Sequence, residues 1–279
     1  MTTRALLLAA GLGTRLRPLT NYLPKCLIPI HGRPLLDYWL ESLVAHGVNE
    51  ILINTHYFSS LVVDYVKRSS WADKVVVVHE ESLLGTGGTI QANRRFFQEE
   101  PFLVAHADNL TVFDSLAFFK RHKESPPVAE LTMMVFETPD PKSCGIVGLD
   151  DQGLVTSFHE KVDSPPGNLA NAAVYILEPA VLDFMKSLGK AEIDFSTEVI
   201  PYFMGRILTY RNDSYHRDIG TVASWIDAHS DFPSMAASPV NARAWNKTMS
   251  MVDASLAPTM AQLLGIPSAG SVCDTQLLQ

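Results

Sequence analysis

The sequence predicts an α/β fold in which helices flank both faces of a mixed, mostly parallel β-sheet. Strands are expected where apolar, β-branched stretches occur, at 5–10, 50–54, 75–78 and 102–107. Amphipathic stretches long enough for helices lie between them, near 34–44, 59–67 and 88–97. Strands that alternate with helices are typical of a parallel sheet with both faces covered.

The ends of these elements carry local signals. Pro34 suits the first turn of the first helix, and Gly47 lies just past its last turn. Three segments with polar or glycine residues follow strands directly, namely 11–15, 80–88 and Asp108. Because ligands bind beyond the carboxyl ends of parallel strands, we expect these segments to share one rim of the sheet.

The second half is expected to be less regular. The turn Asp150-Asp151-Gln152-Gly153 favours a hairpin between two short strands. The expected elements here are a helix at 114–122, strands at 131–137, 145–149, 154–160 and 171–177, helices at 180–187 and 196–203, a strand at 207–210 and a helix at 222–228.

The composition changes at residue 232, after which the chain is rich in Ala, Ser and Met and carries few charges. We therefore expect a main domain over residues 1–231. Residues 232–279 are expected to form an appendage that is partly helical or disordered, with one helix near 253–264.

Charge and composition exclude several classes of protein. The formal charge of −8 over 279 residues argues against a nucleic-acid partner. No apolar run approaches the roughly 20 residues of a membrane span, and the N-terminus lacks the features of a signal peptide. Three cysteines without metal-like spacing, Cys26, Cys144 and Cys273, suit reduced thiols. We therefore expect a cytoplasmic protein without a membrane partner, and a homo-oligomer is left open.

A glycine-rich stretch after the first strand, LLLAAGLGTRLRPLTNYLPKCL, is the strongest local pattern. Its glycines let backbone N–H groups approach an anion, and Arg15, Arg17 and Lys25 concentrate positive charge in an acidic protein. The Walker pattern is absent, and Leu16 replaces the third glycine of the dinucleotide fingerprint. The stretch is interpreted as a loop for a nucleoside triphosphate, and a purely structural glycine turn is the alternative.

The stretch GLGTRLRPLTNYLPK resembles the signature of the sugar-1-phosphate nucleotidyltransferases, except that Cys26 replaces the usual final proline. The resemblance covers about residues 4–231 in at least six motifs, and it implies a single Rossmann-like nucleotidyltransferase (GT-A-like) domain. The hexapeptide repeats of the longer members are absent. The chain thus resembles short members, including heptose- and mannose-1-phosphate guanylyltransferases and muramate-1-phosphate uridylyltransferases.

Two aspartates resemble the metal ligands of that family. Asp108 ends a buried strand in HADN, where an unpaired carboxylate is costly, and Asp218 occurs in RDIGT. The resemblance implies Mg²⁺ as the cofactor. Two aspartates are sufficient for this ion, because Mg²⁺ needs only one or two protein carboxylates beside phosphates and water. The structural alternative for each aspartate is a helix cap or turn residue.

The resemblance also implies roles for three basic side chains. Arg15 would stabilise the β- and γ-phosphates and the leaving pyrophosphate, Lys25 would screen the two approaching phosphates, and Lys161 would hold the acceptor phosphate. The expected nucleotide-binding residues are Leu8, Ala10, Gly11, Gly13, Thr14, Arg15, Glu80, Gly85, Thr86 and Gly88. The expected sugar-phosphate-binding residues are Asn109, Gly145, Glu160, Lys161 and Asn171. For single residues of these motifs, an exposed strand end or a turn is the alternative.

Glu80, in HEESLLGTGG, falls where the family places a side chain on the base edge. An ionised carboxylate only accepts hydrogen bonds, which suits the adjacent N1–H and N2 donors of guanine better than uracil or thymine. A solvent-facing Glu80 is the alternative.

The expected function is Mg²⁺-assisted transfer of a nucleotidyl group from a nucleoside triphosphate, with GTP favoured, to a sugar 1-phosphate. A uridylyl-, thymidylyl- or cytidylyltransferase and a catalytically silent regulatory homologue remain alternatives. A dinucleotide-dependent oxidoreductase is disfavoured, because Asn54-Thr55 stands where an acidic residue is expected after the second strand.

Overall fold

The fold is described for residues 3–265 by a computed structural model. Its strands are β1 (Thr3–Leu8), β2 (Pro29–Ile30), β3 (Arg33–Pro34), β4 (Val48–Thr55), β5 (Val75–His79), β6 (Phe102–His106), β7 (Asn109–Val112), β8 (Leu131–Glu137), β9 (Gly145–Leu149), β10 (Val155–Glu160), β11 (Leu169–Leu177), β12 (Ile207–Arg211) and β13 (Tyr215–Asp218). Its α-helices are α1 (Leu35–Ala45), α2 (Ser59–Arg68), α3 (Gly85–Ala92), α4 (Arg94–Phe97), α5 (Ser115–Lys123), α6 (Pro179–Ser187), α7 (Ile200–Phe203), α8 (Val222–Asp231), α9 (Pro239–Met249) and α10 (Leu256–Leu263).

The central sheet has the strand order β10-β9-β11-β6-β1-β4-β5, and β8 and β12 extend it beside β11. Strands β6, β1, β4 and β5 run parallel to one another, whereas β11 is antiparallel to β6, β8 and β9. The α/β class with helices on both faces of a mainly parallel sheet is therefore confirmed. Strand β1 lies between β4 and β6. The chain adds β4 and β5 on one side of β1 and later adds β6 on the other side. A crevice opens at the carboxyl end of β1, where the strand order changes direction.

Two hydrophobic cores lie on opposite faces of this sheet. Successive side chains of β1 alternate between them: Ala5 and Leu7 face the core that includes α1, α2, α8, α9 and α10. Leu6 faces the other core, which includes α6 and α7. The alternation follows from the two-residue period of a strand buried on both faces.

Most expected elements are present, with shifts where backbone groups find other partners. The first strand ends at Leu8, because the N–H of Ala9 donates to Oδ1 of Asn54 (2.8 Å). The helix expected at 88–97 begins earlier, at Gly85, and is interrupted at Asn93. The hairpin of β9 and β10 is confirmed. The helix expected at 196–203 is a π-helical turn, Phe195–Val199, followed by α7.

Helices α9 and α10 pack against the main domain. Trp245 of α9 and Met260 of α10 belong to the same core as α1. A buried carboxylate, Asp37 of α1, accepts from Nδ2 of Asn241 (2.9 Å) and Nε1 of Trp71 (2.8 Å) at Oδ1. The helix expected near 253–264 is confirmed, whereas α9 was not expected. The division at residue 231 stays a prediction, and residues 266–279, with Cys273, lie outside the described residues.

Candidate active site

Two adjoining cavities open at the carboxyl ends of β1, β4 and β6, and His106 and Asp108 line both. The first, here named the glycine-loop cavity, has a volume of about 250 Å³. It is lined by Leu8, Ala10, Gly11, Asn54, Glu80, Leu83, Gly85, Thr86, Thr89, His106 and Asp108. The second, the hairpin cavity, has a volume of about 210 Å³. It is lined by Arg15, Lys25, His106, Asp108, Asn109, Phe136, Ser143, Cys144, Gly145, Glu160, Lys161, Asn171, Ala172, Ala173, Ser196, His216 and Asp218.

Two hydrogen bonds hold the glycine-containing turn of the glycine-rich stretch in place. Oδ1 of Asn54 accepts from Ala9 at its start, and the carbonyl of Gly13 accepts from Oγ1 of Thr20 (2.8 Å). Gly13 has φ 61°, and a Cβ there would lie 2.8 Å from Cγ2 of Thr20. This position therefore needs glycine for both conformation and space.

The expected loop residues divide between the two cavities. Leu8, Ala10 and Gly11 line the glycine-loop cavity, whereas the exposed Arg15 lines the hairpin cavity. Gly13 and Thr14 are absent from both linings. The loop thus reaches both sides of the crevice.

Lys25 is the buried basic group where the cavities meet. Its Nζ lies 2.5 Å from Oδ2 of Asp108 and 3.2 Å from Oδ1 of Asp218. Burial lowers the pKa of Lys25, but the two carboxylates outweigh burial and raise it overall, so the group stays an ammonium. Burial likewise raises the pKa of Asp108, but Lys25, His106 and the hydrogen bonds to the carboxylate together outweigh burial, so the net shift of the pKa is downward. These three groups, Lys25, Asp108 and Asp218, are named the charged cluster here.

A small antiparallel pair of strands brings the two aspartates together. In the register of β7 and β13, Asp218 is opposite Asn109, and the N–H of Ile219 donates to the carbonyl of Asp108 (3.2 Å). Gly220 leaves room for the carboxylate, since a Cβ there would lie 2.6 Å from Oδ2 of Asp218. Backbone pairing therefore fixes their proximity.

The donor set fits a Mg²⁺ ion that completes its shell with substrate oxygens. Oδ1 of Asp108 is buried and has no hydrogen-bond partner among the described residues. Residues 3–265 hold no cluster of three or more potential metal-ligating side chains. Two carboxylates match the one or two that Mg²⁺ takes when phosphates and water supply the rest. Basic and acidic side chains balance in the hairpin cavity, so a ligand with several phosphate charges would need an added cation there.

Cys26, which replaces the usual proline after Lys25, is a core residue. It is buried in the turn Lys25–Leu27, and burial, assisted by the charge of Asp108, raises the pKa of its thiol to about 12. The protonated thiol packs as a small apolar side chain.

Glu80 lies in the wall of the glycine-loop cavity and is not solvent-facing, with 8% of its surface exposed. Its Oε1 accepts from Oγ1 of Thr89 (2.7 Å) and from Nδ2 of Asn54 (3.1 Å). The sequence interpretation missed Asn54 and Thr89 as site residues. The end of a central strand was the available signal for Asn54.

The glycines at the start of α3 serve packing inside the chain. A Cβ on Gly85 would lie 2.5 Å from the carbonyl oxygen of Ile193, and a Cβ on Gly88 would overlap the carbonyl oxygen of Ala191. The N–H groups of Gly87 and Gly88 both donate to Ile193 (2.9 and 3.2 Å). Gly85 and Thr86 line the glycine-loop cavity, but Gly88 does not. Gly88 is in close contact with residues 191–193, and its expected part in nucleotide binding stays a prediction.

The hairpin cavity gathers all five expected sugar-phosphate residues. Lys161 directly follows β10 with φ 50°, and Nζ of its largely exposed side chain lies 3.1 Å from Oε1 of Glu160. A Cβ on Gly145 would lie 2.6 Å from Oε2 of the same glutamate, so glycine lets the carboxylate approach β9. The Lys161 ammonium is thus presented at the cavity opening.

Asn171 and Asn109 are engaged in supporting the cavity wall. Oδ1 of Asn171 accepts from the N–H of Ala173 (2.9 Å), and its Nδ2 donates to Tyr175 (2.7 Å), across a register shift in β11. Nδ2 of the buried Asn109 donates to the carbonyl of Ala172 (3.1 Å). Both amides hold the irregular strand that forms this wall.

Two histidines, His106 and His216, line the hairpin cavity and were not among the expected site residues. Burial lowers the pKa of His106, and it lowers the pKa of His216 to about 3, so both are neutral. Each lies two residues before an aspartate of the charged cluster. Residues two apart on a strand share a face, so the spacing of His216 and Asp218 on β13 was a usable signal.

Comparison with known proteins decides the family. The sequence model described as "Nucleotidyl transferase" matches residues 4–234. The chain belongs to this nucleotidyl transferase family. The resemblance to the sugar-1-phosphate nucleotidyltransferases is confirmed with it.

Relatives of this nucleotidyl transferase differ in the base and sugar they are named for. A mannose-1-phosphate guanylyltransferase of Mycobacterium tuberculosis is 30% identical over 232 residues, covering 81% of this chain and 64% of the relative. A UTP–glucose-1-phosphate uridylyltransferase of Synechocystis sp. is 28% identical over 242 residues, covering 81% and 62%. The chain therefore spans less than two thirds of the length of these curated relatives.

Solved structures of the same fold include HddC from Yersinia pseudotuberculosis complexed with GMP-PN. It has a TM-score of 0.70 and 25% identity, covering 83% of this nucleotidyl transferase and 100% of that chain. A putative glucose-1-phosphate thymidylyltransferase from Bacillus anthracis has a TM-score of 0.78 at 17% identity, covering 86% and 99%, and so supports the fold alone. No helix within residues 3–265 has the length and apolar character to cross a membrane.

Proposed function

We propose that this nucleotidyl transferase moves a guanylyl group from GTP to a sugar 1-phosphate, forming a GDP-sugar and pyrophosphate. The observation that carries the proposal is the cluster of Lys25, Asp108 and Asp218 where the two cavities meet. One cavity holds the base and nucleoside, the other holds the sugar phosphate, and the α-phosphate lies at their junction.

The reaction is a direct displacement at phosphorus. A phosphate oxygen of the sugar 1-phosphate attacks the α-phosphorus of GTP, and the bond from that phosphorus to the β-phosphate oxygen breaks, releasing pyrophosphate. The protein brings two anions together, so positioning and charge neutralisation supply most of the catalysis. No protein nucleophile is required, and Cys26 is buried and protonated.

Each basic side chain has a separate task. Lys25 is fixed by Asp108 and Asp218, so its ammonium is oriented before substrates arrive and screens both phosphates. Arg15 is exposed on the hairpin-cavity side and is assigned to the β- and γ-phosphates. Lys161 is assigned to the acceptor phosphate at the other wall.

Mg²⁺ is proposed as the cofactor, held by Asp108 and Asp218. When bound, it would neutralise phosphate charge and polarise the α-phosphate oxygens. The unpartnered Oδ1 of Asp108 supports this assignment.

Guanine is proposed as the base because Glu80 presents an acceptor in the glycine-loop cavity. Guanine offers two adjacent donors, whereas uracil and thymine offer one donor beside acceptors. The relative named as a guanylyltransferase and the HddC complex with GMP-PN are consistent with this assignment.

The proposal is tested by assaying each nucleoside triphosphate with each sugar 1-phosphate. The protein is incubated with GTP, UTP, dTTP, CTP or ATP, each with mannose or glucose 1-phosphate among a panel of sugar 1-phosphates, and pyrophosphate is measured. We expect the highest kcat/KM with GTP. A preference for UTP or dTTP would remove the guanylyl assignment, and no turnover with any pair would favour the silent homologue.

A further inference from the structure

The Glu80 carboxylate is held asymmetrically. Both of its side-chain hydrogen bonds are made by Oε1, with Thr89 and Asn54 as donors. No side chain among residues 3–265 donates to Oε2. Since Glu80 lines the glycine-loop cavity, Oε2 is the oxygen left for a ligand.

The two donors are themselves fixed in orientation. Oδ1 of Asn54 accepts from the N–H of Ala9, so the amide must present its Nδ2 donor to Glu80. Nδ2 of Asn54 also lies 3.4 Å from Oγ1 of Thr89, which accepts there and donates to Glu80. Asn54 and Thr89 are each 2% exposed, so water does not replace either donor.

We propose that Asn54 and Thr89 are positioning residues that select the base through Glu80. By occupying Oε1 they present Oε2 as a fixed acceptor, and its two lone pairs can accept from both N1–H and the N2 amino group of guanine. The proposal rests on the proposed guanylyl transfer and names the device behind its base preference. Because Ala9 directly follows β1, the same network links base recognition to the glycine-rich loop.

The network makes a specific prediction for Glu80→Gln. The amide has one acceptor and one donor end, and Asn54 and Thr89 are both donors toward position 80. The Gln oxygen must therefore face them, which turns its NH₂ toward the base. A donor there opposes the N1–H and N2 donors of guanine, whereas it can pair with a carbonyl acceptor of uracil. The preference should therefore shift toward UTP.

The experiment measures kcat/KM for GTP and UTP with a saturating sugar 1-phosphate. Variants are Thr89→Val, Thr89→Ser, Glu80→Gln and the Glu80→Gln/Thr89→Val pair, with Thr248→Val as a matched control. Thr248 is also buried in a helix and donates one hydrogen bond, to Asp64, away from both cavities.

Thr89→Val should lower the GTP:UTP ratio by about fivefold to tenfold, the equivalent of one lost hydrogen bond, mainly through KM for GTP. Thr89→Ser should restore the ratio, and Thr248→Val should leave it unchanged. The shift toward UTP caused by Glu80→Gln should shrink in the Thr89→Val background, where the amide is less firmly oriented.

Separate outcomes test the proposal and the function beneath it. If the wild-type protein prefers another triphosphate, guanylyl transfer is wrong, yet Thr89→Val must still change the ratio between preferred and other nucleotides. An unchanged ratio with equal loss for both nucleotides would make Thr89 merely structural and overturn the proposal. For a variant without turnover, equilibrium binding of GTP and UTP gives the same ratio.

Discussion

Nζ of Lys25 and Oδ2 of Asp108 lie 2.5 Å apart at the junction of the two cavities. Asp218 shares the same ammonium at 3.2 Å, so one buried cation links two carboxylates that are far apart in sequence. Removing Lys25 leaves the Asp108 carboxylate without its nearest cation in a largely buried position. The proposed chemistry and the local stability of the site therefore depend on the same contact.

Lys25→Ala should lower turnover by at least about a hundredfold, because a preorganised charge at the reacting phosphates is lost. The protein should remain folded, since the side chain is on a short turn at the cavity and the core beneath is apolar. Steady-state pyrophosphate release and circular dichroism check both points. Lys67→Ala, at an exposed position of α2, is the control. Near-normal turnover in Lys25→Ala would remove the lysine from the mechanism.

Asp108→Asn should abolish turnover and weaken the response to Mg²⁺. The amide leaves a neutral ligand where a carboxylate is needed, and Mg²⁺ prefers carboxylate oxygens. In the wild type, EDTA should stop pyrophosphate release, excess Mg²⁺ should restore it, and Mg²⁺ with nucleotide should raise Tm. Asp163→Asn, at an exposed position, is the control. An equal rise in Tm for Asp108→Asn and the wild type would argue against Asp108 as a metal ligand.

Asn241→Ala should destabilise the protein by about 2 kcal/mol, since it removes a donor to the buried carboxylate of Asp37 and an acceptor for Ser70. Urea unfolding measures the loss. Asn246→Ala, exposed on the same helix, should change the free energy of unfolding by less than about 0.5 kcal/mol. Equal effects of the two substitutions would mean that the hydrogen bonds of Asn241 do not contribute to stability.

Stability should fall on mild acidification because His122 is buried and neutral. Burial lowers its pKa from 6.5 to about 4, despite Glu178 at 3.2 Å from Nε2; burial also raises the pKa of Glu178. Below pH 6.5 His122 becomes protonated in the unfolded chain, whereas in the folded protein it stays neutral until about pH 4. The free energy of unfolding therefore decreases as the pH falls from 6.5 to 4. The full effect is about 3 kcal/mol.

His122→Gln should make the pH dependence of unfolding shallower between pH 6.5 and 4. Urea unfolding at a series of pH values gives the slope for both proteins. Parallel curves for the variant and the wild type would show that His122 does not titrate differently in the two states.

The parallel half of the sheet was predictable because its signals are local. Strands β1, β4, β5 and β6 are short apolar runs, and each is followed by a polar or glycine-containing segment. The rule that such segments meet at one rim placed the glycine-rich stretch, Glu80 and Asp108 together, and they line one crevice.

Other features depend on contacts that no local pattern reveals. Strands β7 and β13 pair across more than a hundred residues, and this pairing delivers Asp218 to Asp108. Helix α9 buries polar residues, Asn241 and Thr248, whose partners are Asp37 and Asp64. Because these two polar residues share the buried face with Ala244, Trp245 and Met249, they interrupt the apolar stripe, and hydrophobic patterning did not reveal the helix.

The most direct test of the proposed guanylyl transfer is whether pyrophosphate release requires both GTP and a sugar 1-phosphate. Pyrophosphate is measured with GTP alone, with a sugar 1-phosphate alone and with both, while ³¹P NMR follows the nucleotide product. We expect release only with both, one pyrophosphate for each GDP-sugar formed. Pyrophosphate formed from GTP alone at the same rate, or no nucleotide sugar with any triphosphate, would contradict it.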